Sequence, residues 1–160
     1  MALNAATGAS AIYTALSTHI ANWPSTSFPS AFASAYKTYS QAGTLSGGGG
    51  VSGSESEGIL SSFLSSFTSN TTPDDFAQTL ANYWATCLLV PAGGVISVVN
   101  DAASKKSAFK TAILASLTTT EKTPYFKDFM QNIQSIALPT ITWTVLRVGT
   151  PPYVTLETVS

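Results

Sequence analysis

Charge is what this chain has least of. Of its 160 residues, seven are Lys or Arg and eight are Asp or Glu, 9% in all, where soluble proteins usually carry roughly 25%. Ser, Thr, Asn and Gln stand in their place, while the hydrophobic fraction, 44%, is only slightly below the ordinary value. Neutralising a phosphate backbone needs clustered Lys and Arg, so the composition argues against a nucleic-acid partner. The one dense basic group, Lys105, Lys106 and Lys110, has helical spacing and reads as a solvated face.

Cysteine and histidine are nearly absent. Cys87 stands alone in the apolar run "WATCLLV", which excludes an intramolecular disulfide and a cysteine-built zinc cluster and suits a buried structural thiol. His19 is the sole histidine. No pattern ties it to one of the many serines, so a hydrolytic triad has no support. No cofactor or metal site is expected.

Long apolar runs are missing too. The most hydrophobic window, "CLLVPAGGVISVV", contains a Pro and two Gly and falls short of the roughly 20 residues that a membrane-spanning helix needs. The start, "MALNAATGASAIYTALSTHIANW", has neither a basic leader nor a continuous apolar stretch, so a cleaved signal peptide is not expected. "NTT" at 70–72 matches a glycosylation acceptor; without a leader it reads as a helix cap.

What is present is helical periodicity. Ile12, Leu16 and Ile20, with Tyr13 and Trp23 near the same face, predict an amphipathic helix over 9–22. Pro24 and Pro29 break it, and from Ser30 a second helix aligns Phe32, Tyr36 and Tyr39. Ser54 and Glu57 form a capping-box pattern ahead of Ile59, Leu60, Phe63, Leu64 and Phe67. Thr72 before "PDDF" repeats a start signal of cap, Pro and first-turn acids. That helix shows Phe76, Leu80, Tyr83, Trp84 and Cys87 along one side and extends to about Val90. "VISVVN" suits a strand or a buried helix equally. Further helices are predicted over 101–118, with Phe109, Ile113 and Leu117 in a row, and over 124–137, ending at Pro139.

Two segments depart from this pattern. "GTLSGGGGVSGSESEG", residues 43–58, has a flexible linker's composition and lacks the Gly-Lys-Ser/Thr of a phosphate loop; it reads as an adjustable crossover. "ITWTVLRVGTPPYVTLE" at 141–157 reads as two strands. Ile141, Trp143, Val145 and Arg147 alternate with Thr142, Thr144, Leu146 and Val148, a pattern suited to burial between layers. Tyr153, Thr155 and Glu157 alternate with Val154, Leu156 and Thr158.

The expected fold is therefore mainly α: a bundle of about five or six helices over 1–139, with the crossover at 43–58, and an extended β tail or hairpin over 140–160. A two-stranded ribbon is marginal alone, so the tail needs the helical body or another subunit. Trp143, Val145, Arg147, Tyr153 and Val154 are the candidate partner-contacting residues, and truncation at Pro139 is expected to spare the helices while removing assembly. Asp74 and Asp75 serve a helix start, and no carboxylate pair is placed across a cleft as glycosidic chemistry requires. The expectation is a non-enzymatic protein.

"FPSAFASAYKTYSQAG", "DFAQTLANYWATCLLVPAGG" and "TWTVLRVGTPPYV", in Ala-, Ser- and Thr-rich surroundings, resemble small virion structural proteins of tailed bacteriophages in composition and segment order. The Gly-rich insertion is a departure from some of them. The resemblance implies a tail, neck or baseplate subunit located in the virion and assembled in the host cytoplasm. Its partners would be copies of itself and other virion proteins. A capsid decoration protein or a host-surface, carbohydrate-binding module is the alternative, and a cell-wall hydrolase is a further rival.

Overall fold

The computed structural model of the chain describes residues 3–20, 27–52, 56–93, 95–117 and 125–160. Among them are six α-helices: α1 (Ala5–Ile20), α2 (Phe28–Gln41), α3 (Glu57–Ser65), α4 (Pro73–Thr86), α5 (Lys106–Leu117) and α6 (Tyr125–Asn132). Five strands accompany them: β1 (Gly49–Ser52), β2 (Leu88–Pro91), β3 (Val95–Asn100), β4 (Trp143–Arg147) and β5 (Tyr153–Glu157). The protein is mainly α, with a three-stranded antiparallel sheet that includes the C-terminal segment.

The helices pack largely pairwise, α1 on α2 and α6, α2 on α3, α4 on α5. Their buried faces are those the spacing selects: Phe32, Tyr36 and Tyr39 on α2, Leu80, Tyr83 and Trp84 on α4, Phe109 and Ile113 on α5. Phe63, Phe76 and Phe129 form a nearly parallel column with ring centroids 5.6 and 5.8 Å apart, joining α3, α4 and α6. Most polar groups inside this core are paired, as burial demands, while the Tyr39 hydroxyl and Trp143 Nε1 are buried without a hydrogen-bond partner. Trp84 Nε1 donates to the Tyr36 hydroxyl at 3.1 Å. Ser40 Oγ donates to the Lys37 carbonyl, which leaves it to accept from Tyr83 at 2.6 Å. Burial pushes the Tyr36 and Tyr83 hydroxyls well above their ordinary pKa.

Helix ends depart from expectation in instructive places. α2 begins at Phe28, with Pro29 in its first turn, where a missing N–H costs nothing. α3 begins after Ser56, so Glu57 is its first residue and cannot close a box from the third. Its carboxylate instead meets Lys37 Nζ at 2.6 Å; Ser54, like Trp23 and Pro24, lies outside the described residues. Phe67 falls beyond α3 and is 59% exposed, and Leu117 is 53% exposed. α4 carries a reciprocal cap: Asp75 accepts from the Thr72 N–H at 2.8 Å, and Thr72 Oγ1 accepts from the Asp75 N–H. Asp74 pairs with both Lys106 and Lys110, tying α4 to α5. After α6 the chain widens into a π-helical turn, Ile133–Ala137, then tightens into a 3-10 turn, Leu138–Thr140, around Pro139.

The largest correction concerns the β content. α4 stops at Thr86, and the run expected to extend it to Val90 is strand β2, antiparallel to β1 with Val51 opposite Leu89. β1 itself lies within the Gly-rich crossover, where Gly48 and Gly49 hold φ of +90° and +123°, values that favour glycine. "VISVVN" is strand β3 and supplies the partner for the tail: β4 is the central strand, flanked by β3 and β5.

Candidate interface on the C-terminal sheet

Alternation along β4 divides the sheet into two faces. Trp143, Val145 and Arg147 point inward and are buried, while Thr144 is exposed. Opposite them across β5 stand Glu157, Thr155 and Tyr153 on the inner face and Leu156 and Val154 on the outer one. On β3, Val99 pairs with Thr144 and so faces outward, whereas Val98 pairs with Val145 and packs on the core. The strand is thus half-buried, and burial between two layers is not observed.

The inner face is held by one ion pair. Arg147 donates from Nε and Nη2 to Glu157 Oε1 at 2.9 and 2.6 Å, and side-chain exposure is only 8% and 2%. The guanidinium also donates to the carbonyls of Ala92 at 2.8 Å and Gly47 at 2.9 Å. Glu157 accepts further bonds from Thr155 Oγ1 at 2.6 Å and from the Gly47 N–H at 3.2 Å. Burial alone would raise the Glu157 pKa, but the Thr155 hydroxyl, the adjacent guanidinium and the Gly47 N–H hold it below the usual carboxylate range. A buried pair of this kind persists because its remaining donors and acceptors are satisfied. Its consequence is positional: β4, β5, the Gly47 loop and the β2–β3 connection at Ala92 meet at one point.

The chain end is sealed on the same side. Thr44 and Ser160 exchange backbone hydrogen bonds at 2.9 and 3.0 Å, and Ser46 N–H donates to Thr158 at 3.0 Å. Val159 is buried beside Leu45. The tail therefore pairs with its own body, and the core includes Ile141, Trp143, Val145 and Val159.

The five candidate contact residues separate accordingly. Trp143, Val145 and Arg147 face the interior. Tyr153 and Val154 are 52% and 60% exposed, but alternation puts only Val154 on the outer face. Sequence reasoning missed Val99 and Leu156, 66% and 71% exposed. The alternation of β5 had already placed Leu156 beside Val154, whereas Val99 could be assigned only once β3 was known to pair with β4. The outer face receives no charged side chain from these strands: Arg147 and Glu157, the only charged residues within them, both turn inward.

Other hollows offer different chemistry. One of about 300 Å³ between α1 and α2 is lined by small residues and Tyr39. Another, of about 430 Å³, places Asp75 among Thr and Asn side chains, but that carboxylate already serves the α4 cap. Trp84 and Trp143 are fully buried, so neither can stack on a sugar. Among the described residues no group of three His, Cys, Asp or Glu side chains could hold a metal ion, and no helix is long and apolar enough to cross a membrane. The His19 side chain lies outside the described residues. No protein-family model, curated protein or solved structure matches this chain.

Proposed function

We propose that this protein is a non-enzymatic structural subunit of a tailed-bacteriophage virion, a tail, neck or baseplate component that assembles in the host cytoplasm through the outer face of its C-terminal sheet. In this reading the six helices act as a bundle supporting the sheet, and its partners are neighbouring virion proteins. One observation carries the proposal: Val99, Val154 and Leu156, each at least 60% exposed, share one uncharged sheet face. Apolar side chains gathered on one face mark an interaction surface better than the same residues scattered singly. The low charge of the whole chain agrees with this, since neutral surfaces are cheaper to desolvate than charged ones.

The test is incorporation. The chain, carrying an affinity tag, is produced during particle assembly and the particles are purified on a density gradient. The expected result is the chain in fixed ratio to the other particle proteins, and much less of it when Val99→Lys is introduced. A chain that stays in the soluble fraction would contradict the proposal.

A further inference from the structure

We infer that residues 158–160 form a clasp over the Gly-rich crossover, and that the clasp, residues 43–52 and β2 open together as one unit while the helices and the β3–β4–β5 sheet stay folded. The inference stands apart from the assembly reading, since it concerns contacts within one chain.

The crossover has little of its own to hold it. Gly43, Gly47, Gly48, Gly49 and Gly50 make up half of residues 43–52, and Gly loses the most backbone freedom on ordering. Leu45 and Val51 are the segment's only large apolar side chains, both buried. Among the described residues β1 pairs with β2 alone, and a two-stranded ribbon is marginal by itself. Two side chains and such a ribbon do little to offset the entropy of ordering the segment. The contacts made by 158–160 therefore decide whether it stays closed.

Those contacts are consecutive. Thr44 and Ser160 exchange backbone hydrogen bonds at 2.9 and 3.0 Å, and the Ser46 N–H donates to the Thr158 carbonyl at 3.0 Å. The Thr158 N–H donates back to Ser46 Oγ at 3.2 Å. Between them the buried Val159 lies on Gly43 so closely that a Cβ there would stand 2.8 Å from Val159 Cγ1.

The boundary of the unit runs beside the buried ion pair. Opening withdraws the Gly47 N–H from Glu157 and the Gly47 carbonyl from Arg147, but both Arg147–Glu157 bonds lie on the body side. No charge is stranded, so the large penalty for breaking a buried pair does not oppose the motion. β2 loses its strand partner in the same step, and the Ala92 N–H loses the Gly48 carbonyl, 3.1 Å away. β4 is different: it is paired on both edges and buries Trp143 and Val145, so releasing it requires the core to open. The fold thus carries a strap with two states, closed as in the structure and open with Leu45, Val51 and Val159 accessible.

Native-state hydrogen exchange of the full chain, followed by NMR at low denaturant concentrations, tests this. The Thr44, Ser46, Gly48, Ala92 and Ser160 amides should share one opening, exchanging about tenfold or more faster than the Leu80 and Ile113 amides of α4 and α5. Their denaturant dependence should also be weaker, because less surface is exposed. Ile113→Val, in the core outside the unit, should speed the Leu80 amide about fivefold and leave the five unchanged. Val159→Ala should speed all five by one common factor of about ten. Ser46→Ala, at an exposed position, removes only the acceptor of the Thr158 N–H; it should act in the same direction by a smaller factor, and it serves if Val159→Ala does not fold. Five amides that follow Ile113→Val as Leu80 does would show that the crossover opens only with the whole domain, and would overturn the inference. A response to Val159→Ala or Ser46→Ala confined to Thr44, Ser46 and Ser160, with Gly48 and Ala92 unmoved, would show that 158–160 frays without holding the crossover, and would overturn it too.

Discussion

Arg147 and Glu157 share the inner face of adjacent antiparallel strands, standing opposite Tyr153 and Trp143 respectively, and their guanidinium–carboxylate contact, 2.6 Å at its shortest, is almost fully enclosed. Around it converge the Gly47 loop, Ala92 and both C-terminal strands. Removing either partner strands the other charge in a low-dielectric site, which costs about 3–5 kcal/mol. Glu157→Leu and Arg147→Met should each lower stability by that order. The double replacement should cost less than the sum of the two, because no lone charge remains, though the Gly47 and Ala92 carbonyls still lose their donor. Urea denaturation of the four proteins as a double-mutant cycle measures the coupling.

The pH dependence has a fixed sign. The folded-state pKa of Glu157 is depressed, so its contribution to stability is fully present above the unfolded-state value and is lost as pH falls through the folded value. The melting temperature should therefore drop on acidification below the usual carboxylate range. Glu157→Gln, already destabilised at neutral pH, should show a shallower acid-side decline when thermal melts are compared between pH 7 and pH 3.

The Gly47 loop should tolerate little at one position and much at another. A Cβ on Gly47 would collide with the Glu157 carboxylate and the Arg147 guanidinium, whereas one on Gly50 meets nothing within 4 Å. Gly47→Ala should destabilise by about 1–3 kcal/mol, the usual cost of overpacking, and Gly50→Ala should be near neutral. Chemical denaturation of the two variants makes the comparison.

Truncation at Pro139 should remove far more than a contact surface. Ile141, Trp143, Val145 and Val159 belong to the hydrophobic core, and the fully buried Trp143 alone should cost about 3–5 kcal/mol on replacement by Ala, a large part of the 5–15 kcal/mol that holds a domain folded. A chain ending at Pro139 should lose cooperative thermal unfolding and much of its helical circular dichroism. The expectation that the helices survive such a truncation came from treating the tail as separate from the body.

Legibility ended at strand pairing. Faces of helices were readable because Phe32, Tyr36 and Tyr39, or Leu80, Tyr83 and Trp84, repeat at three and four. The α4 start was readable because Thr72, Pro73 and Asp75 act on backbone groups within one turn. Strand pairing is non-local: Leu88–Val90 satisfies a helix and a strand equally well, and only the distant Gly49–Ser52 segment decides. The role of Arg147 was hidden for the same reason. Its partner ten residues away is brought onto the same inner face by the β4–β5 pairing, opposite Trp143, and its carbonyl acceptors lie 55 and 100 residues distant. Val99 could be assigned to the outer face only after β3 was known to pair with β4.

Cys87 is buried and is the only cysteine, which makes a new thiol on the outer face easy to follow. Leu156→Cys, treated with a thiol-reactive dye, should label rapidly in dilute free protein, where position 156 is exposed. In gradient-purified particles containing the chain, labelling should be slowed at least tenfold while a control thiol at the exposed Thr111 on α5 keeps its rate. Equal labelling of position 156 in free chain and particle would contradict the assignment of the outer sheet face as the assembly surface.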